Sequence, residues 1–159
     1  MSKIWVQAII IQNRRVIFGY GKGHHYFIGK VLEDDETPEQ GLRQALREVN
    51  VDGVVLFRVA EPDAEEAWGQ SAFLPHITFL VDIGYQVPAI SLNMGLSDAA
   101  NRDRALVRIE LIPLDQPEAF TEIDIGYFRL LLADCETRGV RFPWTDAMST
   151  LIQAKRLNS

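Results

Sequence analysis

The spacing of apolar positions changes several times along the chain, and each change marks an element. Over residues 3–12 and 15–20 the chain is rich in β-branched and aromatic residues with strand-like alternation, and Asn13-Arg14 between them suits a tight hairpin turn. Gly19-Tyr-Gly-Lys-Gly23 follows. A phosphate-cradling glycine loop would lead into a helix, whereas this one leads into strand-like Tyr26-Phe27-Ile28, so it reads as a plain flexible connection. His24 and His25 have no cysteine or carboxylate at ligand spacing and read as exposed loop residues, although their place makes His25 a candidate substrate contact.

The period then becomes helical. Leu42, Ala45, Leu46 and Val49 recur at i, i+3, i+4 and i+7, giving one apolar face. Thr37 is a good N-cap, Pro38 fits the first helical position, and Gln40 stands where a capping box wants Glu or Gln. Gly41, Gln44, Glu48 and Asp52 form a neighbouring stripe, preceded by the acidic run Glu33-Asp34-Asp35-Glu36. A carboxylate stripe beside a buried face, behind an acidic loop, is a seat for a hard cation such as Mg²⁺.

Residues 54–60 read as a strand and 61–69 as an acidic loop carrying Trp68, which either stacks on a nucleobase or anchors the loop against the sheet. Residues 73–85 form the longest β signal, with a central part expected in the core. Residues 87–104 lack periodicity and look like a long excursion, the kind of segment that often carries function. Another alternating strand spans 106–114, with Arg108 and Glu110 on one, solvated, face. A helix capped by Thr121 runs to about Arg138 with Gly139 after it, and Phe142-Pro143 separates it from a final helix over 145–157.

Bulk properties narrow the picture. A chain of 159 residues, 47% hydrophobic and 24% charged, is expected to be one domain over 1–159, with 140–159 a helical extension. Sixteen basic against 22 acidic side chains, net −6, argue against a nucleic-acid-binding surface. With no signal-peptide pattern, no membrane-length apolar run and a lone Cys135, a soluble cytoplasmic protein without membrane partners is expected.

Residues 29–53 resemble the Nudix box, G-x5-E-x7-R-E-U-x-E-E-x-G-U with U aliphatic, in degenerate form. Gly29, Glu33, Glu36, Thr37, Pro38, Glu39 and Gln40 match a typical opening, with Lys30 and Asp35 in place of two glycines. Carried on without a gap, Gln44 and Ala45 replace Arg-Glu, Glu48 keeps the first Glu of the later pair, Val49 replaces the second, and Asn50 replaces the Gly. A second register, slid three residues, makes Arg47-Glu48-Val49 the Arg-Glu-aliphatic element and brings in Asp52 and Gly53-Val54. An insertion of three residues turns later positions by about 60° relative to the loop, which favours the first.

The resemblance implies an α/β/α sandwich with a mixed sheet, to which this chain adds a C-terminal helix. It also implies hydrolysis of a nucleoside diphosphate linked to another moiety, with Mg²⁺ or Mn²⁺ assisting attack of water on phosphorus. Carried over, Glu48, Glu36 and Arg47 would be catalytic, Glu36 anchoring Arg47 or another donor to hold the loop. Glu48, Asp52 and the Gly29 carbonyl would be metal ligands, and His25 and Trp68 substrate contacts. With Ala45 and Val49 in two carboxylate places, turnover is expected to be weak. The alternative is a catalytically inactive nucleotide-binding or regulatory module. The long C-terminal helices could also pair two copies as a homodimer.

Overall fold

The computed structural model describes residues 4–59, 76–90 and 106–157. Trp68, the acidic loop over 61–69 and the larger part of the 87–104 excursion lie outside them. The strands are β1 (Trp5–Gln12), β2 (Arg15–Gly21), β3 (His24–Val31), β4 (Val54–Arg58), β5 (His76–Asp82) and β6 (Arg108–Pro113). The helices are α1 (Pro38–Glu48), α2 (Glu122–Arg138) and α3 (Thr145–Leu157). The sheet order is β4-β5-β1-β3-β2-β6, with β1 also reaching β2. β1 and β5 run parallel and the other pairs antiparallel, so the sheet is mixed, as expected.

Two hairpins use left-handed residues at both turn positions. Asn13 and Arg14 have φ of 53° and 59°, and Lys22 and Gly23 have 55° and 84°, the backbone twist that two-residue hairpins favour. The glycine-rich segment is therefore no flexible connection. Gly19 to Gly21 belong to β2, Lys22-Gly23 makes the turn, and β3 begins at His24. His24 and His25 are strand residues, which corrects their reading as loop residues. The hydrophobic run that opens β3 only at Tyr26 hid them, because neither imidazole signals a strand by composition.

Helices cover both faces of the sheet. β1 is buried from Trp5 through Ile10, as a strand packed on both sides must be. Val6, Ala8, Ile10, Ile17 and Ile28 meet Leu42, Leu46 and Val49 on the α1 side. Ile9, Phe18 and Phe27 meet Phe128 and Leu131 of α2 and Leu151 of α3 on the other. Truncating a fully buried leucine such as Leu42 or Leu46 to alanine costs about 2–5 kcal/mol. α2 has a complete capping box between Thr121 and Asp124 and stops at Gly139, which is left-handed at φ 67°. Among the described residues no helix is long and apolar enough to cross a membrane.

Candidate functional site

The two faces carry two different clusters. On the α1 side, the Thr37 hydroxyl accepts from the Gln40 backbone N–H while the Gln40 side chain accepts from that of Thr37. This fixes where the helix starts. Leu42, Ala45, Leu46 and Val49 are then all buried, and with Ala45 and Val49 so are two of the three carboxylate places of the gap-free register. α1 ends at Glu48, and Asn50 turns left-handed at φ 61°. Asp52 follows that turn: its N–H donates to the Gln86 side chain at 2.8 Å, and its backbone oxygen accepts from the same amide at 2.6 Å. It borders a shallow recess with Arg43 and Arg47, and the structure does not bring it onto the helix face of Glu48.

Glu36 meets a lysine. Lys30 Nζ donates to Glu36 Oε1 and Oε2 at 2.7 and 3.0 Å and to Gln44 Oε1 at 2.9 Å. All three ammonium donors are used, and Lys30 is only 3% exposed. The carboxylate also receives the Glu33 N–H at 3.2 Å, which ties the acidic loop to itself. Asp34 and Asp35 are exposed. Gly41 lets the loop sit down on the helix, since a Cβ there would lie 2.2 Å from Leu32 and 3.3 Å from Glu36 Oε1. Arg47 points to solvent.

Glu48 is half-buried, and its carboxyl is held above the usual range. Burial is the main cause. Glu36 adds to the rise and Lys30 opposes it, so all three groups share one field. Gly29, adjacent to Lys30, lies under Trp5 and against β1; a Cβ there would be 2.2 Å from the Val6 carbonyl oxygen. Among the described residues the donor set does not suit Mg²⁺ or Mn²⁺, which want several convergent oxygens. One helix carboxylate stands beside a buried ammonium, and among the described residues no three acidic, histidine or cysteine side chains converge to hold an ion.

The other face carries a pocket of about 510 Å³. Trp5, Gln7, His25, Phe27, His76 and Tyr127 line it, and its size and aromatic lining suit a small organic ligand. Tyr127 meets Phe27 edge-on at 5.5 Å and His76 at 6.3 Å. Trp5 Nε1 donates to Gln7 Oε1 at 3.0 Å, and Gln7 Nε2 donates to Thr78 Oγ1 at 3.0 Å. That relay leaves the indole fixed over Gly29.

His25 is the titratable centre of this pocket. Its ring lies 4.2 Å from that of Phe18, and its Nε2 is 2.6 Å from Asp124 Oδ2. The same oxygen accepts the Thr121 N–H at 2.9 Å, so one buried carboxylate both caps α2 and orients the imidazole. The His25 pKa is raised, first by the hydrogen bond to Asp124; burial opposes the rise, and the charges of Asp124 and Glu110 add to it. A carboxylate on Nε2 keeps the proton there, leaving Nδ1 as an acceptor when the ring is neutral and a donor when it is charged. Arg108 reaches Glu110 at 2.8 Å and lies over the Tyr20 ring at 3.7 Å, on the rim. All three histidines of the chain border this one pocket.

Sequence reasoning missed Lys30 and Asp124. Lys30 figured there only as a departure from glycine, and its signal was the paired exchange of Gly for Lys at 30 and Arg for Gln at 44. Asp124 was hidden because its partner is 99 residues away.

No protein-family model matches the chain, and no curated protein matches it in sequence. Solved structures do match in shape. A UDP-X diphosphatase superposes with a TM-score of 0.60 at 13% identity over 84% of this chain, which spans 64% of that protein's length. An ADP-ribose pyrophosphatase from Streptococcus suis gives 0.57 at 13% identity, covering 98% of this chain and 93% of the other. A Nudix-family hydrolase from Clostridium perfringens gives 0.54 at 10%, with 95% and 99% covered. The chain has the Nudix fold, with its mixed sheet between helices.

Proposed function

We propose that this Nudix-fold chain binds a small nucleotide-type ligand by its aromatic ring, in the pocket between β1, β3, β5 and the start of α2, and that it hydrolyses such ligands weakly or not at all. The pocket carries the reading: Trp5, Phe27 and Tyr127 offer ring faces and edges, while Gln7 and His25 offer oriented polar atoms. Aromatic walls with a few fixed polar groups recognise a flat heterocycle. The structural neighbours named UDP-X diphosphatase and ADP-ribose pyrophosphatase support a nucleotide-type ligand.

The box supports the second half. A diphosphate is strongly anionic, and its hydrolysis in this fold family is expected to use Mg²⁺ or Mn²⁺; here Ala45 and Val49 are in the core and Lys30 occupies Glu36. Loss of a catalytic carboxylate costs several kcal/mol of transition-state stabilisation, and each 1.36 kcal/mol is about tenfold in rate. Glu48 is the one acidic helix group left near the ammonium, and it would hold any residual activity. A cytoplasmic setting fits the single buried thiol of Cys135.

Nucleoside triphosphates, dinucleoside polyphosphates, ADP-ribose and NADH titrated calorimetrically in the presence of chelator test the binding. At least one should bind, and Tyr127→Ala should weaken it about tenfold or more, as loss of an aromatic anchor does. Turnover of any of them at about 1 per second or faster, with Mg²⁺ or Mn²⁺, would show an active hydrolase instead. No binding by the whole panel would remove the nucleotide assignment.

A further inference from the structure

We infer that the Lys30 ammonium is the resident cation of the box, delivered from β3, and that it does the loop-holding work which the motif assigns to an arginine on the helix. In the gap-free alignment two departures occur together: Lys30 stands for a glycine and Gln44 for the arginine. The structure joins them. Lys30 Nζ binds both oxygens of Glu36 and the Gln44 side-chain oxygen, all within 3.0 Å. One positive charge has moved from helix to strand, and the shortened, neutral residue at 44 has become an acceptor for it.

The exchange has a second effect. Lys30 lies in β3 beside Val6 of β1, 3% exposed, so it cannot swing out to water. A divalent ion approaching Glu36 or Glu48 would meet a fixed positive charge whose donors already occupy the Glu36 oxygens. Removing that ammonium from its partners is costly, because a buried pair broken on one side leaves an unpaired charge. The Lys30–Glu36 pair is thus charge-balanced without metal. This inference stands on the box alone and does not need the pocket to take nucleotides.

The test is a four-protein comparison of thermal unfolding in chelator: the native chain, Lys30→Gly, Gln44→Arg and the two together. Lys30→Gly should lower Tm by on the order of 10 °C, as loss of a buried ion-pair partner implies. Gln44→Arg should lower Tm in the native background, where it sets a second cation against Lys30, yet raise it in the Lys30→Gly background by restoring a cation to Glu36. This reversal of sign is something a residue that merely fills space would not produce. If Gln44→Arg lowers Tm equally in both backgrounds, the inference fails. Should Lys30→Gly not fold, folding of the double variant alone supports the exchange, and failure of both overturns it. An independent arm uses Mn²⁺ on the native protein. With protein in excess, the free-ion paramagnetic resonance signal should stay undiminished; a signal lost in native protein and recovered by Glu48→Gln would overturn the metal-free box.

Discussion

His25 and Asp124 are 99 residues apart in the chain, yet Nε2 of one lies 2.6 Å from Oδ2 of the other, joining the second hairpin to the first turn of α2. The bond favours the charged imidazole, so the folded pKa is raised above the ordinary value of 6.5. A group whose pKa rises on folding contributes stability that is present in full below its unfolded pKa and is lost as pH rises through the folded one. The native protein should therefore lose stability above about pH 6.5, and Asp124→Asn should flatten that loss. Urea unfolding from pH 5.5 to 8.5, with the His25 ring protons followed by NMR, measures both. An unchanged His25 titration in the variant would rule the pairing out.

Glu48 has the opposite consequence. Its carboxyl is raised mainly by burial, so the charged form is disfavoured in the folded protein, and stability falls as pH climbs from the unfolded pKa of 4.5 through the folded one. Glu48→Gln should then be more stable than the native chain at pH 7 and about equal to it at pH 4. Denaturant midpoints at the two values check this. A variant less stable at pH 7 would show that Glu48 is held by favourable contacts.

Val49→Glu would restore a motif carboxylate in name only. Val49 is fully buried against β1 and β5 residues such as Ala8 and Val81, and an unpaired charge there costs several kcal/mol. We expect loss of cooperative unfolding or a fall of at least about 3 kcal/mol, with no gain of hydrolysis. Circular dichroism melts and a phosphate-release assay decide it; a stable, active variant would mean that the helix can rotate its face.

Gly29→Ala separates packing from chemistry. A Cβ at this position would press into the Val6 carbonyl oxygen at 2.2 Å and the Trp5 ring at 2.9 Å. Overpacking of this kind costs about 1–3 kcal/mol. The loss should be the same with chelator as with Mg²⁺. A loss seen only with Mg²⁺ would make the Gly29 carbonyl a metal ligand after all.

What the sequence made legible was local. Thr37, Pro38 and Gln40 fixed the start of α1 because a capping box lies within four residues, and Gly139 fixed the end of α2 because a left-handed stop needs one glycine. Leu42, Ala45, Leu46 and Val49 declared their face by period alone, and all four are buried. The polar partners were not legible in the same way. Lys30 reaches Gln44 across 14 positions and His25 reaches Asp124 across 99, and no periodicity records such distances. The strand character of His24 and His25 was obscured by the glycines before them, where a two-residue left-handed turn replaced the expected loose segment. Trp68 and most of the 87–104 excursion remain expectations, since they lie outside the described residues.

Gly29 and Lys30 are neighbours in one strand, and strand neighbours face opposite ways. The first lies beneath the Trp5 ring at the pocket; the second is fastened to Glu36 and Gln44 under α1. A single thickness of backbone is thus a partition with a wall of the pocket on one side and a bolt on the other. With the bolt in place, β3 is fastened to α1 and to the loop that precedes it. Ligands should then be sorted by fit to a preformed shape rather than by closure around them, so a tight ligand and a loose one should differ in how fast they leave, not in how fast they arrive.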